Sequence, residues 1–272
     1  MKYDPVKSKI GNLVNRRLWM RKLFYRLLDI LLLRAWHVKR LIRSLNNSGM
    51  DNANILDAGS GFGQYTWSMW RINRSWTIHG VDLKQEQIDD CNSFFNKTKA
   101  ADNVSFALED LSAYTQTDMY DLILSVDVME HIEDDNAVFR NFHTSLRDRG
   151  CLLISTPSDR GGSDVHHDHD ESFIEEHVRD GYGKEEISGK LRNAGFSEIS
   201  VRYTYGRPGQ LSWKLSMKYP ILMLNASWLF AIVLPLWYLI VMPLALILNV
   251  IDVRKEHHEG SGLLVTAKKS TT

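Results

Sequence analysis

Apolar residues follow two alternating patterns through the middle of the chain. Short continuous apolar runs, typical of buried strands, are separated by stretches in which apolar residues recur every three or four positions, as in helices. Strands that alternate with helices favour an α/β fold, with a mostly parallel sheet covered by helices on both faces. The predicted strands are Asn54–Ala58, Thr77–Val81, Val104–Leu108, Leu122–Val126, Cys151–Ser155 and Ile199–Tyr203, and three predicted helices are Lys84–Phe95, Asn136–Leu146 and Lys184–Ala194.

Both ends of the chain depart from this alternation. Apolar residues at helical spacing, with Lys and Arg between them, predict one long amphipathic helix from about Asn12 to Leu45. Near the other end, Tyr219–Ile251 contains no charged residue, and Gly262–Lys269 is a strand-like tail that we expect to pair with Ile199–Tyr203. The predicted regions are a basic amphipathic helix (1–50), the α/β domain (51–206), a hydrophobic insertion (207–257), and the last strand of the sheet with its tail (258–272).

Charge is distributed unevenly along the chain. The formal net charge is zero, yet residues 1–50 contain twelve Lys and Arg and only two acids. This asymmetry predicts an anionic surface as a partner. The interleaved Leu and Trp residues favour a membrane over a nucleic acid, because binding a nucleic-acid backbone needs no apolar face. Cys91 and Cys151 lie far apart with no metal-ligand spacing, which suits a reducing compartment.

A glycine-rich turn follows the first predicted strand. Residues 55–63 have the sequence Ile-Leu-Asp-Ala-Gly-Ser-Gly-Phe-Gly, and a helix is expected to begin directly after them. The glycines allow the backbone to approach a ligand, and Asp82 at the tip of the second strand suits ribose hydroxyls. A dinucleotide fingerprint would place its third glycine where this chain has Gln64.

Asp57 precedes the first glycine by two positions, and this Asp-x-Gly-x-Gly-x-Gly pattern resembles motif I of class I S-adenosylmethionine-dependent methyltransferases. Three later segments, 108–111, 120–132 and 150–157, resemble the following strands of that family in the same order. The resemblance covers about Asp51 to Gly206 plus the tail, within the broad subgroup that includes ubiquinone-pathway methyltransferases. It implies a Rossmann-like, seven-stranded sheet and S-adenosylmethionine as cofactor. The residues expected to bind this cofactor are Asp57, Gly59, Ser60, Gly61, Gly63, Asp82, Leu83, Glu109, Asp110, Leu111, Ser125 and Val126.

Candidate catalytic residues follow the fourth strand. Asp127, Glu130 and His131 are spaced to share one face if a helix or turn begins after Val126, and one of them could remove a proton from the methyl acceptor. In some ubiquinone-pathway O-methyltransferases an acid-x-x-Glu-His cluster binds a divalent metal, but here the first acid is Asp, and we predict no metal. The alternative is that Glu130 and His131 only order the loop and cap a helix.

A second polar cluster, 166–170, has no helical metal-ligand spacing and predicts a solvated loop or part of a lid over the acceptor pocket. Arg179 and Tyr182 are candidates for contact with the acceptor.

The uncharged run exceeds the about 20 residues that cross a bilayer, but it is too short for two crossings with a turn. A single crossing would put Ile199–Tyr203 and Gly262–Lys269, which we expect in one sheet, on opposite sides of the membrane. Lys and Arg on both flanks favour keeping both ends on the cytoplasmic side, and Pro235 can break the helix. We therefore expect a helical hairpin, Ile221–Leu234 and Leu236–Leu248, that dips into one leaflet; the alternative is a pair of buried core helices.

Together these features predict a methyltransferase at the cytoplasmic face of a membrane, acting on a lipophilic small molecule by O- or C-methylation. A soluble small molecule or a protein as acceptor, with the membrane segments serving only for location, stays open, as does a catalytically silent cofactor-binding protein.

Overall fold

Seven strands form one mixed sheet in the computed structural model, which describes residues 17–161 and 178–270. The order across the sheet is β3-β2-β1-β4-β5-β7-β6. The strands are β1 Asn54–Ala58, β2 Thr77–Asp82, β3 Val104–Leu108, β4 Tyr120–Val126, β5 Leu146–Pro157, β6 Phe196–Thr204 and β7 Gly262–Lys269.

Helices precede the sheet, cover both of its faces and extend from its far edge. Short 3-10 turns occur at Met129–His131 and Trp228–Ile232, and a π-helical turn at Lys214–Lys218. The helices are α1 Leu18–Leu31, α2 Leu33–Asn47, α3 Gln64–Ile72, α4 Gln85–Phe95, α5 Asp135–Ser145, α6 Lys184–Asn193, α7 Arg207–Trp213, α8 Tyr219–Ala226 and α9 Leu234–Arg254.

The predicted Rossmann-like sheet is confirmed. β1 to β5 pair in parallel, and their apolar runs are buried because helices cover both faces. The tail forms β7, which lies antiparallel between β5 and β6 and pairs with β6 as expected. The strand order reverses between β1 and β4, so the crevice outside their carboxyl ends is the natural ligand site.

The prediction of one long N-terminal helix is wrong. Leu32 has an extended backbone (φ −88°, ψ 107°), which separates α1 from α2. Tyr25, Val38 and Ile42 are buried in the same apolar cluster as Trp76 beside the sheet. Both helices are therefore packed onto the α/β domain, although α1 keeps an exposed outer row of apolar residues: Leu18, Trp19, Leu23, Leu27 and Ile30.

The uncharged run lies in a helical hairpin inserted between β6 and β7. The hairpin is antiparallel, because Tyr238 near the start of α9 donates to the Ser216 carbonyl (2.9 Å) and Asp252 near its end accepts from the Gly209 amide (3.0 Å). Its helical break falls after α8, at residues 227–233, rather than at Pro235, which lies in the first turn of α9.

The second half of the hairpin is longer than predicted. α9 has 21 residues with a mean hydropathy of 2.2 over its most apolar window, of which 11% is buried. By length and composition alone it could cross a membrane, and it is the one such helix in the described part of the chain. Its most exposed apolar side chains are Leu236, Leu239, Ile240, Leu244, Ile247 and Ile251.

Candidate active site

The glycine-rich loop between β1 and α3 has a fixed backbone. Gly59 and Gly61 have φ angles of +79° and +53°, in the region that side chains disfavour. A Cβ on Gly59 would lie 2.2 Å from a methyl carbon of Val128. The Gly59 and Ser60 amides both donate to the Val81 carbonyl, at 2.9 and 2.8 Å, and so tie the loop to β2.

Asp82, at the end of β2, holds the same loop through its side chain. One carboxylate oxygen accepts from the Gly61 amide (2.9 Å) and the other from the Lys84 amide (3.0 Å). Each oxygen keeps a second lone pair for a hydroxyl donor. Leu83 (67% exposed) and Leu108 (48% exposed) extend the site with apolar surface at the ends of β2 and β3.

The third strand ends in the predicted acidic segment. Leu111 is buried in the core, whereas Asp110 is exposed and accepts from the Ser112 amide (2.8 Å) through one of its carboxylate oxygens. Glu109, directly before Asp110, is half-buried, and its amide donates to the Asp82 carbonyl (3.1 Å). The second Asp110 oxygen is therefore available at the rim of the crevice.

Asp57 is the most buried acid of the loop, at 2% exposed. Thr66 donates a hydrogen bond of 2.5 Å to its carboxylate, yet burial raises the pKa of Asp57 to about 6. A carboxylate in this environment favours a neighbouring cation, which would lower its pKa again. An amino group, such as that of a bound amino acid, supplies this charge.

Two buried hydroxyls beside the loop have no hydrogen-bond partner. They are the Oγ atoms of Ser60, in the loop, and Ser125, which lies opposite Ala58 where β1 and β4 run side by side. Buried polar atoms are normally paired, so these two indicate a polar ligand at the crevice. Together with Asp57 and the glycines, they fit the amino acid part of S-adenosylmethionine, and Asp82 fits its ribose.

α1 closes the outer side of this loop, an arrangement that sequence reasoning missed. Arg21, at 3% exposed, donates to the Phe62 carbonyl (2.8 Å) and pairs with Asp90 (2.6 Å). The Tyr25 hydroxyl donates to the same Phe62 carbonyl at 2.5 Å. Burial of a charged arginine in an apolar stretch gives no signal in the periodicity, so the sequence pattern predicts this residue on the basic side of the helix instead.

Asp127 and Glu130 follow β4, but they do not share a regular helix. Asp127 has a left-handed backbone (φ +53°), and Met129–His131 form a 3-10 turn, so a turn rather than a regular α-helix follows Val126. Glu130 is 1% exposed and accepts from the Thr156 hydroxyl (3.1 Å), whereas His131 is exposed. Burial, and secondarily the charge of Asp127, raise the pKa of Glu130 to about 7.

Arg34 is a site residue that the sequence did not reveal. Its guanidinium, from α2, pairs with Asp127 at 2.7 Å, and its amide donates to the Tyr205 hydroxyl at 3.0 Å. The Arg34 Nε and the Tyr65 hydroxyl are both buried without a hydrogen-bond partner of good geometry. These two groups mark a second polar position, separate from the glycine loop.

The residues expected to contact an acceptor from the later loop have structural partners instead. Arg179 donates to the Ile132 carbonyl (2.7 Å) and pairs with Asp135, while Tyr182 is fully buried and its hydroxyl donates to Asp135 (2.8 Å). The polar cluster 166–170 lies outside the described residues. Among those that are described, no three His, Cys, Asp or Glu side chains form a group that could hold a metal ion.

The fifteen predicted site residues lie at the carboxyl ends of β1, β2, β3 and β4, as the parallel sheet requires. Asp57, Gly59, Ser60, Gly61 and Gly63 lie along β1 and its loop, and Ser125 and Val126 end β4. The assignment of a role to each residue stays a prediction.

Comparison with known proteins agrees with this arrangement. A family model described as a methyltransferase domain matches residues 50–195. The mitochondrial ubiquinone biosynthesis O-methyltransferase of Candida albicans is 26% identical over 113 residues, which are 41% of this chain and 34% of that protein. This chain spans between 28% and 42% of the length of the curated relatives it matches.

Solved structures share the fold at low identity. Phosphoethanolamine N-methyltransferase 2 of Haemonchus contortus, in complex with S-adenosylmethionine, aligns with a TM-score of 0.58 at 20% identity over 87% of this chain and 53% of that one. The [4+2]-cyclase SpnF aligns with a TM-score of 0.56 at 16% identity over 86% of this chain and 81% of that one. The family match supports S-adenosylmethionine as the cofactor, as the sequence predicted.

Proposed function

This chain belongs to the family of methyltransferase domains, and we propose that it transfers the methyl group of S-adenosylmethionine to a lipophilic small molecule taken from the surface of a membrane. The observation that carries the proposal is the position of α2. This helix contacts the polar position after β4 through Arg34 and the base of the apolar hairpin through His37, which are three residues apart.

The base of the hairpin and the polar position after β4 are held by residues that are close together in α2. His37 lies 2.9 Å from the buried carboxylate of Asp252 in the last turns of α9. Tyr205, which accepts from the Arg34 amide, is separated from α7 by one residue, Gly206. A lipophilic molecule that leaves the lipid beside the hairpin would thus meet polar groups of the site without crossing bulk water.

The hairpin is best explained as a dip into one leaflet. Its second arm ends in Arg254 at the base, whereas Lys214 and Lys218 flank Ser216, which contacts Tyr238 well along the hairpin, so the uncharged apolar part begins after Lys218. β6 and β7 belong to one sheet, which requires both ends of the hairpin to stay on the same side. We propose the cytoplasmic side, because Lys and Arg are retained there.

The cofactor supplies a methyl group on a sulfonium, which is already a strong electrophile. The protein must align the acceptor and take up its proton. Glu130 suits the second task, since a pKa of about 7 lets its carboxylate gain a proton near neutral pH. His131, exposed on the next position, is the candidate for contact with the acceptor at the rim.

Asp127 is proposed to act through Arg34. The pair holds the guanidinium beside the Tyr65 hydroxyl, and these two neighbouring groups can bind the polar end of the acceptor. A hydroxyl of the acceptor, or its conjugate base, can accept from both donors. This arrangement fits methylation of that oxygen itself or of a carbon next to it.

A labelled-methyl assay tests the acceptor class. The purified full chain is incubated with S-adenosylmethionine carrying a deuterated methyl group and with membranes from cells that lack the gene. We expect the label in the organic extract. The acceptor should accumulate in cells that lack the gene, as a molecule one CH₂ lighter than its methylated form in cells that have the gene. The control is the Asp57→Asn variant, which should bind the cofactor more weakly and transfer less label.

Label recovered only from the aqueous phase or on protein would overturn the lipophilic acceptor while leaving methyl transfer intact. Absence of label in every fraction, with binding of S-adenosylhomocysteine retained, would overturn methyl transfer itself. That outcome has physical precedent in the shared fold of a cyclase, so turnover is the decisive measurement.

A further inference from the structure

A basic groove lies between α2 and the last turns of α9, away from the cofactor loop. Its volume is about 510 Å³. Its walls contain four cations and one carboxylate, a net charge of +3, above an apolar floor. The residues that line it are Lys39, Arg40, Arg43, Arg254, Asp29, Trp36, Val250 and Val253.

The cations are held around the groove by different contacts. Asp29 pairs with Lys39, and Arg40 donates to the Val253 carbonyl near the end of α9. Arg43 and Arg254 are exposed, one on each wall. Asp29 is the one carboxylate among the described lining residues, and it is engaged by Lys39. The positive charge of the three arginines is therefore not compensated within the groove.

The groove adjoins apolar surface that continues along the hairpin. Val250 and Val253 on its floor belong to the same helix as the exposed Leu244, Ile247 and Ile251. Trp36 lies at its other wall and donates its indole N–H to the Ile30 carbonyl (3.1 Å). Positive charge directly beside an apolar helix face, with a Trp at the junction, is the arrangement found at the boundary between lipid headgroups and acyl chains.

We propose that this groove binds the phosphate headgroup of an anionic phospholipid, with the acyl chains lying along the outer face of α9. The phosphate oxygens would accept from Arg43, Arg254 and Arg40, since guanidinium groups match phosphate geometry. The proposal rests on the membrane association of the hairpin, but it adds a requirement for lipid charge that a purely apolar anchor lacks.

The same site would affect the enzyme's orientation. α2 carries three of the four groove cations, Lys39, Arg40 and Arg43, and before them in the same helix Arg34 and His37. A lipid bound between α2 and α9 joins the two helices on the membrane side and keeps the Arg34 end of α2 next to the bilayer. The acceptor position is then presented to the lipid surface.

Flotation of the full chain with vesicles tests the groove. Vesicles of phosphatidylcholine alone are compared with vesicles of phosphatidylcholine containing phosphatidylglycerol. The double variant Arg43→Gln/Arg254→Gln should reduce the extra partitioning onto the anionic vesicles by about 25-fold, at about fivefold per cation near the surface. Its partitioning onto phosphatidylcholine should stay that of the unmodified chain.

The matched control is Arg140→Gln/Arg192→Gln, which removes two exposed cations outside the groove. It should retain the preference for anionic vesicles. Equal losses in the two double variants would mean general surface attraction and would overturn the headgroup site. Equal binding of the unmodified chain to both vesicle types would overturn it as well.

A competition arm distinguishes a lipid from a soluble phosphate. Glycerol phosphate added to the vesicles should leave the anionic preference in place, because it cannot use the apolar face of α9. If glycerol phosphate abolishes that preference, the groove binds a soluble phosphate and the lipid assignment is wrong. Failure of the chain to bind any vesicle would instead contradict the membrane association proposed for the hairpin, so the two failures are distinguishable.

Discussion

The proposed cofactor side and the proposed acceptor side of the site are built in different ways. The cofactor side consists of short contiguous segments, residues 57–63, 82–83 and 109–111, each at the end of one parallel strand. The acceptor side joins residues from opposite parts of the chain, Arg34 on α2, Asp127 after β4 and Tyr205 before the hairpin. Local segments can bind the same cofactor in many proteins, whereas contacts between distant segments allow the acceptor to differ.

The two sides also differ in what they face. The glycine loop is enclosed by β2 and by α1, whose Arg21 and Tyr25 both donate to the Phe62 carbonyl. The acceptor side adjoins a hairpin whose apolar residues are largely exposed. Substitutions can therefore separate cofactor binding, membrane binding and methyl transfer.

The largest effect is expected on the hairpin. Replacing Leu239 and Ile240, 74% and 70% exposed, with Asn should weaken partitioning onto phosphatidylcholine vesicles about 1000-fold, at about 2 kcal/mol per buried side chain. Binding of S-adenosylhomocysteine, measured by calorimetry in detergent, should not change. Met119→Asn, on the domain and 41% exposed, is the control that should still float. Flotation of the hairpin variant equal to that of the unmodified chain would contradict insertion.

The next effect is expected in the glycine loop. Gly59→Val combines a disfavoured backbone (φ +79°) with a collision against Val128, so we expect binding of S-adenosylhomocysteine to weaken by about 100-fold. Gly49→Ala is a matched control, because that glycine also has a positive φ (+93°) but nothing within 4 Å of the added carbon. Similar losses in both variants would show that general destabilisation, rather than the loop, is responsible.

A smaller effect is expected at the acceptor side. Arg34→Gln removes the pair with Asp127 and should lower kcat by about 10- to 100-fold through loss of alignment, with the affinity for S-adenosylhomocysteine unchanged. Arg34→Lys should restore part of kcat. The labelled-methyl assay measures kcat, and calorimetry measures the affinity for S-adenosylhomocysteine. A parallel loss of that affinity would show that Arg34 belongs to the cofactor side instead.

The smallest effect concerns the free energy of unfolding. We expect Asp57→Asn to raise it, although the same substitution should weaken cofactor binding. The raised pKa of Asp57 means that the native chain holds a proton that the unfolded chain has already lost, so this residue destabilises the fold as the pH rises from about 4 through 6. Asp57→Asn should raise the free energy of unfolding by about 1–3 kcal/mol at pH 7.5, with the difference disappearing near pH 4. Urea unfolding without cofactor at both pH values measures it.

Cofactor binding should respond to Asp57 in the opposite direction. A cationic amino group requires the ionised carboxylate, so we expect the affinity for S-adenosylhomocysteine to increase between pH 5 and pH 7. Asp57→Asn should remove that increase, while Asp110→Asn, at an exposed acid, should retain it. An unchanged pH profile in Asp57→Asn would contradict the role assigned to this acid.

The sheet and the glycine loop were predictable because their signals are local. Strand runs, turn glycines and terminal acids all fall within a few residues of the atoms they position, and β7 was recognisable from its own apolar pattern. The break at Leu32 was not predictable, because apolar spacing continues through it and no Gly or Pro marks it.

The pairing of Arg34 with Asp127 could not be predicted from local sequence patterns, for a different reason. A basic residue in a basic amphipathic stretch has the same sequence context whether it meets lipid, water or an acid brought near by the fold. Likewise, the left-handed backbone of Asp127 placed Glu130 inside and His131 outside, which helical spacing alone cannot show.

The location of β7 affects the order in which the chain can assemble. β5 and β6 are joined only through β7, with Cys151 opposite Lys268 and Phe196 opposite Lys269. During synthesis the hairpin emerges before β7, so the edge of β5 stays unpaired until the hairpin has already left the ribosome. A hairpin that inserts into lipid, as proposed, can therefore do so while the sheet is still open, and completion of the sheet then fixes both of its ends on the same side of the membrane.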